Sequence, residues 1–170
     1  MLMSLAARKG WKLLSYDIST AFLQGKEMEE VSTRTGEQRV AASYPPDDFF
    51  PLLAEFPEMW DQLPQPGKEH EYALLLYKAV YGLGDAPRLW YLRARETLAK
   101  IGFTELKCAQ AVFTLREATG KLCAMLTLHV DDGLLFGDVG SQVFQKARKL
   151  IDKMFDIKHW RVLKADQDED

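Results

Sequence analysis

The chain is expected to be an α+β domain, with helices packed on one face of an antiparallel sheet. Three observations carry this expectation. Two helical segments, one opening at Asp85-Ala86-Pro87 and one at Ser141, bracket a run of short apolar segments. Tight turns rather than helices join those segments, which fits antiparallel neighbours. The chain has 170 residues, 47% hydrophobic and 28% charged, which is enough for one domain with its own core and is not a composition of disorder.

The elements follow in chain order. Met1 to Lys9 reads as a short helix stopped by Gly10. Trp11 to Ile18 reads as a buried strand that ends near Asp17, and Thr20 to Leu23 as a short helical turn closed by Gly25. Residues 31–70 hold six of the chain's seven prolines. That density forbids a long helix or central strand, so this stretch is read as a long loop insert with one helical turn near Phe56 to Asp61. Tyr72 to Tyr77 is a short apolar strand candidate. Asp85, Ala86 and Pro87 make a helix start, and Trp90, Ala94, Leu98 and Ile101 recur at helical spacing until Gly102. Ala111 to Leu115 and Leu122 to Val130 flank the turn residues Ala118-Thr119-Gly120-Lys121 as a hairpin. A second turn is expected at Asp131-Asp132-Gly133, with Gly133 supplying the permissive backbone and Leu134 to Phe136 returning. Ser141 caps a helix whose apolar face holds Val143, Ala147, Leu150, Ile151 and Met154.

No run of 18 apolar residues exists, so no membrane span is expected. The N-terminal stretch places apolar residues before Arg8 and Lys9, the reverse of a signal peptide's order. Two cysteines, Cys108 and Cys123, make neither a disulfide framework nor a good zinc site, so a reduced intracellular setting is expected. The net charge of −3 is unevenly spread: residues 26–71 carry 11 acids against 4 bases, and the flanking blocks are mildly basic. That balance is compatible with a nucleic-acid partner and equally with an ordinary solvated surface.

Taken singly, Asp17, Asp131 and Asp132 are turn or cap residues. Their setting makes them more than that. Each follows a strongly apolar strand, and Leu122 to Val130 is apolar on both faces, as in a central strand. If those strands are neighbours, three carboxylates converge with no basic residue in the same motifs. Such a cluster is costly unless it binds cations or takes up protons. Oxygen-rich sites suit Mg²⁺ or Mn²⁺, and paired ions serve in-line phosphoryl or nucleotidyl transfer.

Three blocks then resemble one family. Tyr16-Asp17-Ile18-Ser19-Thr20-Ala21-Phe22-Leu23-Gln24-Gly25 resembles the first catalytic motif of Ty1/copia-type retrotransposon reverse transcriptases. The run from Val80 through Tyr81, Gly82, Pro87, Arg88 and Trp90 to Tyr91 resembles their L-Y-G-L-K-Q-A-P-R-x-W-Y, and His129-Val130-Asp131-Asp132 resembles their Y-V-D-D. Met154-Phe155 and Ile157-Lys158 are similar to the family's L-x-x-x-F-x-M-K segment. The resemblance runs from about Gly10 to Val162 in the family's order. It implies a polymerase palm-like antiparallel sheet, with residues 1–165 as a partial reverse transcriptase domain of a Pol polyprotein; residues 166–170 are an acidic tail that matches no part of the family.

The resemblance also implies roles. Asp17, Asp131 and Asp132 would be catalytic and would hold two Mg²⁺ ions, or Mn²⁺ in their place, with Asp17 and Asp131 first in line as direct ligands and the Ile18 carbonyl assisting. Phe22 matches the steric-gate position that favours deoxynucleotides. Tyr81 and Gly82 match contacts to the incoming nucleotide and template. Arg88 and Lys78 are candidate phosphate contacts, and His129 stands where the family has tyrosine. Partners would be an RNA or DNA template-primer and a deoxynucleoside triphosphate. Trp90 reads as core.

Several departures temper the transfer. Gly84-Asp85 replaces a lysine-glutamine pair, and the 31–70 stretch is longer and richer in proline than the family's link. The fingers that precede the first motif, and the RNase H region, are expected to lie outside this chain. Two rivals therefore stand beside the polymerase: an eroded, non-catalytic remnant with a folded palm, and a palm-like nucleotide cyclase, for which no purine pocket is visible.

Overall fold

The computed structural model describes residues 2–28, 36 and 40–163. The acidic tail at 166–170, and residues 31–35 and 37–39 of the proline-rich stretch, lie outside the described residues. A short helix α1 (Leu2–Arg8) leads into strand β1 (Lys12–Ile18), with Gly10 left-handed between them at φ 62°. A single 3₁₀ turn (Ala21–Gln24) follows β1. A long excursion then holds β2 (Ala42–Ser43), α2 (Phe49–Leu53), a 3₁₀ turn (Pro57–Gln62) and β3 (Leu74–Leu75). Beyond it come α3 (Ala86–Ile101), β4 (Thr104–Leu106), β5 (Ala109–Arg116), β6 (Leu122–His129), β7 (Asp132–Gly137), α4 (Gln142–Met154) and β8 (Ile157–Leu163).

The α+β class is as expected. Six strands form one antiparallel sheet in the order β4-β5-β6-β7-β1-β8. The expected helix boundaries hold. Asp85 stands at the N-cap position of α3, with Pro87 in its first turn, and Gly102 ends it at φ 110°. The Ser141 hydroxyl accepts from the Phe144 amide at 3.4 Å to open α4.

The excursion leaves and returns at one place. Glu27 and Lys78 form an antiparallel bridge, and the Met28 amide donates to the Tyr77 carbonyl at 2.9 Å. The Tyr72 to Tyr77 run differs from expectation. Only Leu74–Leu75 is a strand, and it pairs with Ala42–Ser43 in a separate two-stranded ribbon. The apolar residues there serve the excursion, not the main sheet.

Register decides what each face of the sheet carries, because paired residues in neighbouring strands share a face. One face holds Phe113, Leu126, Leu135 and Leu14 in one row, and Leu128, Gly133, Tyr16 and Trp160 in the next. Trp90, Ala94 and Leu98 of α3 and Phe144, Ala147 and Ile151 of α4 belong to the same buried cluster. Burying each such large side chain contributes about 1.5–3 kcal/mol. Gly137 makes room for the Phe144 ring, which a Cβ would overlap.

The opposite face is graded. Its first row, Met125, Phe136 and Leu13, is covered by Leu2, Leu5 and Ala6 of α1. Helices on one face is thus a correct description of α3 and α4 but not of α1, whose small apolar stripe caps the far end of the other face. The next row is Thr127, Leu134, Ser15 and Arg161, and the last is His129, Asp132, Asp17 and His159. The face therefore passes from apolar to charged along β1, and its charged end lines an open cleft among the described residues.

Candidate active site

The charged end is built by two corners. The first follows β1, where Thr20 takes a left-handed conformation at φ 45° and the 3₁₀ turn begins. Gln24 ties this corner down, its side-chain amide donating to the Ser19 carbonyl at 2.6 Å, while the Ser19 amide donates to Asp156 O at 2.7 Å.

The second corner joins β6 to β7, and it corrects the sequence reading. The loop is Val130-Asp131, flanked by the pair His129 and Asp132, rather than Asp131-Asp132-Gly133. Val130 is the left-handed residue, at φ 55°, and Gly133 lies within β7. A left-handed first loop residue is the pattern of a type II′ turn, a position that ordinarily takes glycine. A β-branched residue there costs about 1–3 kcal/mol and persists only when its surroundings impose it. Two hydrogen bonds do so: the Trp90 indole N–H donates to the Val130 carbonyl at 2.6 Å, and the Ile18 amide donates to the Asp131 carbonyl at 2.8 Å.

Gly133 has a different function from the one its turn chemistry predicts. Tyr16 lies opposite it, and a Cβ at 133 would overlap the Tyr16 hydroxyl and the Thr127 carbonyl. The missing side chain lets the Tyr16 hydroxyl donate to that carbonyl at 2.7 Å. Burial, reinforced by the charge of Asp132, pushes the Tyr16 phenol well above its ordinary range.

Asp17 and Asp132 are directly paired across β1 and β7, and His129 and His159 flank them on the outer strands. All four line a cleft of about 580 Å³, together with Ser15, Thr127, Lys158 and Arg161. Neither Asp17 nor Asp132 has an ion pair or side-chain hydrogen bond among the described residues, so two carboxylates stand at paired positions with their oxygens unengaged there. Hard oxygen donors in that state match the chemistry of Mg²⁺ or Mn²⁺. Asp131 lies in the turn beside them. Among the described residues, no three His, Cys, Asp or Glu side chains gather closely enough to hold an ion by themselves.

The remaining candidates form a second group. Phe22 is buried just after the first corner and packs on the exposed Tyr81, with ring centroids 4.5 Å apart. Gly82 follows at φ 97°. Arg88 is exposed on α3, and Trp90 is core, as read, with the added hydrogen bond to Val130. Phe22, Tyr81, Gly82 and Arg88 do not line the cleft that Asp17 and Asp132 share. Ile18 reaches Asp131 through its amide.

Sequence reasoning missed β8, and with it Lys158, His159 and Arg161. A register shift opposite Asp17 and Ile18 breaks the period-2 alternation that would have announced the strand. The available signal was its content of Ile157, Trp160 and Val162. Trp160 docks β8 onto α4, donating to Asp152 Oδ1 at 2.5 Å beneath the Arg148 guanidinium.

The sequence has known relatives. Residues 63–165, well over half of the chain, match the family described as reverse transcriptase (RNA-dependent DNA polymerase). The chain therefore belongs to that family, and its relatives place it with the Ty1/copia type. It is 26% identical over 138 residues to the retrovirus-related Pol polyprotein from transposon RE2 of Arabidopsis thaliana, covering 81% of this chain and 8% of that protein. It is 28% identical over 158 residues to the Pol polyprotein from transposon TNT 1-94 of Nicotiana tabacum, covering 92% of this chain and 10% of that protein. The chain thus spans a tenth or less of the length of these polyproteins. No solved structure gives a significant match. No helix among the described residues is long and apolar enough to cross a membrane.

Proposed function

We propose that this chain is the palm region of a copia-type RNA-directed DNA polymerase, which adds deoxynucleotides to a primer 3′ end on an RNA or DNA template. The observation that carries the reading is the facing pair Asp17 and Asp132 at one strand end, without an ion pair among the described residues, with Asp131 in the adjoining turn. Asp17, Asp131 and Asp132 would hold the divalent ions, assisted by the Ile18 carbonyl. When bound, such ions acidify the primer hydroxyl and offset the charge of the triphosphate and of the departing pyrophosphate.

The chain's own residues supply the positioning. The open end of the sheet accepts the primer terminus beside Asp17. Lys158 and Arg161, on the same cleft, attract phosphates, and His129 lies against the primer side. The Phe22–Tyr81 pair shapes the sugar pocket and disfavours a 2′-hydroxyl, Gly82 lets backbone approach the nucleotide, and Arg88 contacts phosphate. A template-primer substrate and an intracellular setting, cytoplasm or nucleus, go with this activity.

A second reading, a folded but non-catalytic remnant, is favoured by the absence among the described residues of three gathered metal-ligating side chains. Primer extension separates the two. It is measured with Mn²⁺ at low salt, for this chain and for the chain joined to the flanking Pol segments of a full-length relative. The polymerase reading expects weak extension by the chain and clear extension by the joined protein, abolished by Asp131→Asn. A joined protein that never extends a primer supports the remnant.

A further inference from the structure

We infer that Trp90 is a positioning residue for Asp131: its indole N–H holds the strained Val130-Asp131 turn in the conformation that presents the carboxylate at the sheet end. The relevance to catalysis rests on the polymerase reading above; the turn geometry does not.

Trp90 is 1% exposed in the second turn of α3, and its ring packs edge-on against Phe155 at 5.9 Å. Packing alone accounts for an aromatic residue there. It does not account for a tryptophan, because the indole N–H in a dry core must find an acceptor. The acceptor is the carbonyl of Val130, the one β-branched residue in the β6–β7 turn and a left-handed one. Among the described residues, the other hydrogen bond that holds this turn from outside runs from the Ile18 amide to Asp131 O. One donor therefore comes from the helix layer and one from β1, and they hold consecutive carbonyls. With both in place the peptide planes on either side of Asp131 are oriented by groups outside the turn. With Trp90 unable to donate, Val130 is free to leave its unfavourable conformation, and Asp131 moves with it.

Hydrogen exchange tests this directly. Trp90→Phe keeps an aromatic ring in the core and removes the donor together with part of the indole's volume, so a second background is needed to separate the two. The amide of Ile18 is expected to exchange about fivefold faster or more, as for loss of one hydrogen bond's worth of local stability. The amides of Leu14 and Leu135, farther along the same strands, keep their parent rates. Val130→Gly removes the conformational penalty, so Trp90→Phe in that background is expected to accelerate Ile18 much less. An unchanged Ile18 rate in Trp90→Phe overturns the inference. So does an equal acceleration in both backgrounds, which would mean that Trp90 acts by packing alone. Mn²⁺ titration of the same proteins supplies the link to the site. Weaker binding by Trp90→Phe is expected; a parent that binds no Mn²⁺ overturns the metal reading while the exchange rates still decide the role of Trp90.

Discussion

Asp17 and Asp132 occupy opposing positions in the β1–β7 ladder, on the face of the sheet that no helix among the described residues covers at that end. The hydrophobic core explains why they are held there. Tyr16 and Ile18, on either side of Asp17, are buried against α3 and α4, so the strand cannot rotate its carboxylate away without exposing both.

Removing one of the facing charges should relieve repulsion when no divalent ion is present. Like charges directly opposite in a sheet cost about 0.2–1 kcal/mol. Asp132→Asn is expected to raise stability toward urea by that amount at low ionic strength, with the gain shrinking as salt screens the pair. The same substitution should reduce the stabilisation conferred by Mn²⁺, which for the parent at 100 times its dissociation constant is about 2.7 kcal/mol. A destabilised Asp132→Asn without metal would mean that the carboxylate is neutralised after all.

Gly133→Ala should be among the most damaging single-methyl additions in the chain. The added Cβ would overlap both the Tyr16 hydroxyl and the Thr127 carbonyl, and the latter is backbone that cannot step aside. Overpacking of this kind costs about 1–3 kcal/mol. Gly120→Ala is the control: it lies in the β5–β6 turn at φ 84° with open space around it, so its cost is conformational only. Thermal unfolding of both should rank Gly133→Ala as the worse; the reverse order would contradict the Tyr16 packing.

Tyr16 gives the fold a dependence on alkaline pH. Burial holds its phenol protonated above the ordinary value of about 10. Below pH 10 folded and unfolded chains both keep this proton, and the contribution is present in full. Above pH 10 only the unfolded chain releases it, so stability falls as pH rises, by up to about 1.4 kcal/mol per pH unit. Tyr16→Phe should lose about 1 kcal/mol at neutral pH with the Thr127 hydrogen bond, yet show a shallower decline between pH 10 and 11. Urea titrations of both proteins at three pH values in that range check the slope, and parallel declines would place the effect in other groups.

Ser141→Ala should cost about 1 kcal/mol in global stability, because the hydroxyl accepts from Phe144 N at the start of α4 and donates to Glu117 across the β5–β6 turn. Ser141→Asp should keep the cap and lose the Glu117 contact to repulsion. Equal stability of parent and Ser141→Ala would show that the cap is dispensable.

Much of this was legible from local chemistry. Asp85-Ala86-Pro87, Gly102, Gly120 and Ser141 each announce a boundary because capping and turn residues act through their immediate neighbours. The approach of Asp17 to Asp132 was readable only as a condition on strand order, since nothing in β1 or β7 alone says that they pair. Gly133 misled because glycine permits two things, an unusual backbone and a close approach, and here the second applies. The true left-handed residue, Val130, is one that propensity argues against, and its setting depends on Trp90, 40 positions away. β8 was invisible for a related reason: its bulge opposite Asp17 removes the alternation that marks a strand.

The most direct test of the central claim, that the Asp17–Asp132 strand end is a divalent-ion site, is paramagnetic broadening of backbone amide signals during Mn²⁺ titration of the ¹⁵N-labelled chain. The amides of Tyr16, Asp17, Asp132 and Gly133 should broaden first, and Asp17→Asn should abolish that order of events. Broadening that begins in the acidic 26–71 segment while the strand-end amides stay sharp, or an identical pattern in Asp17→Asn, would contradict it.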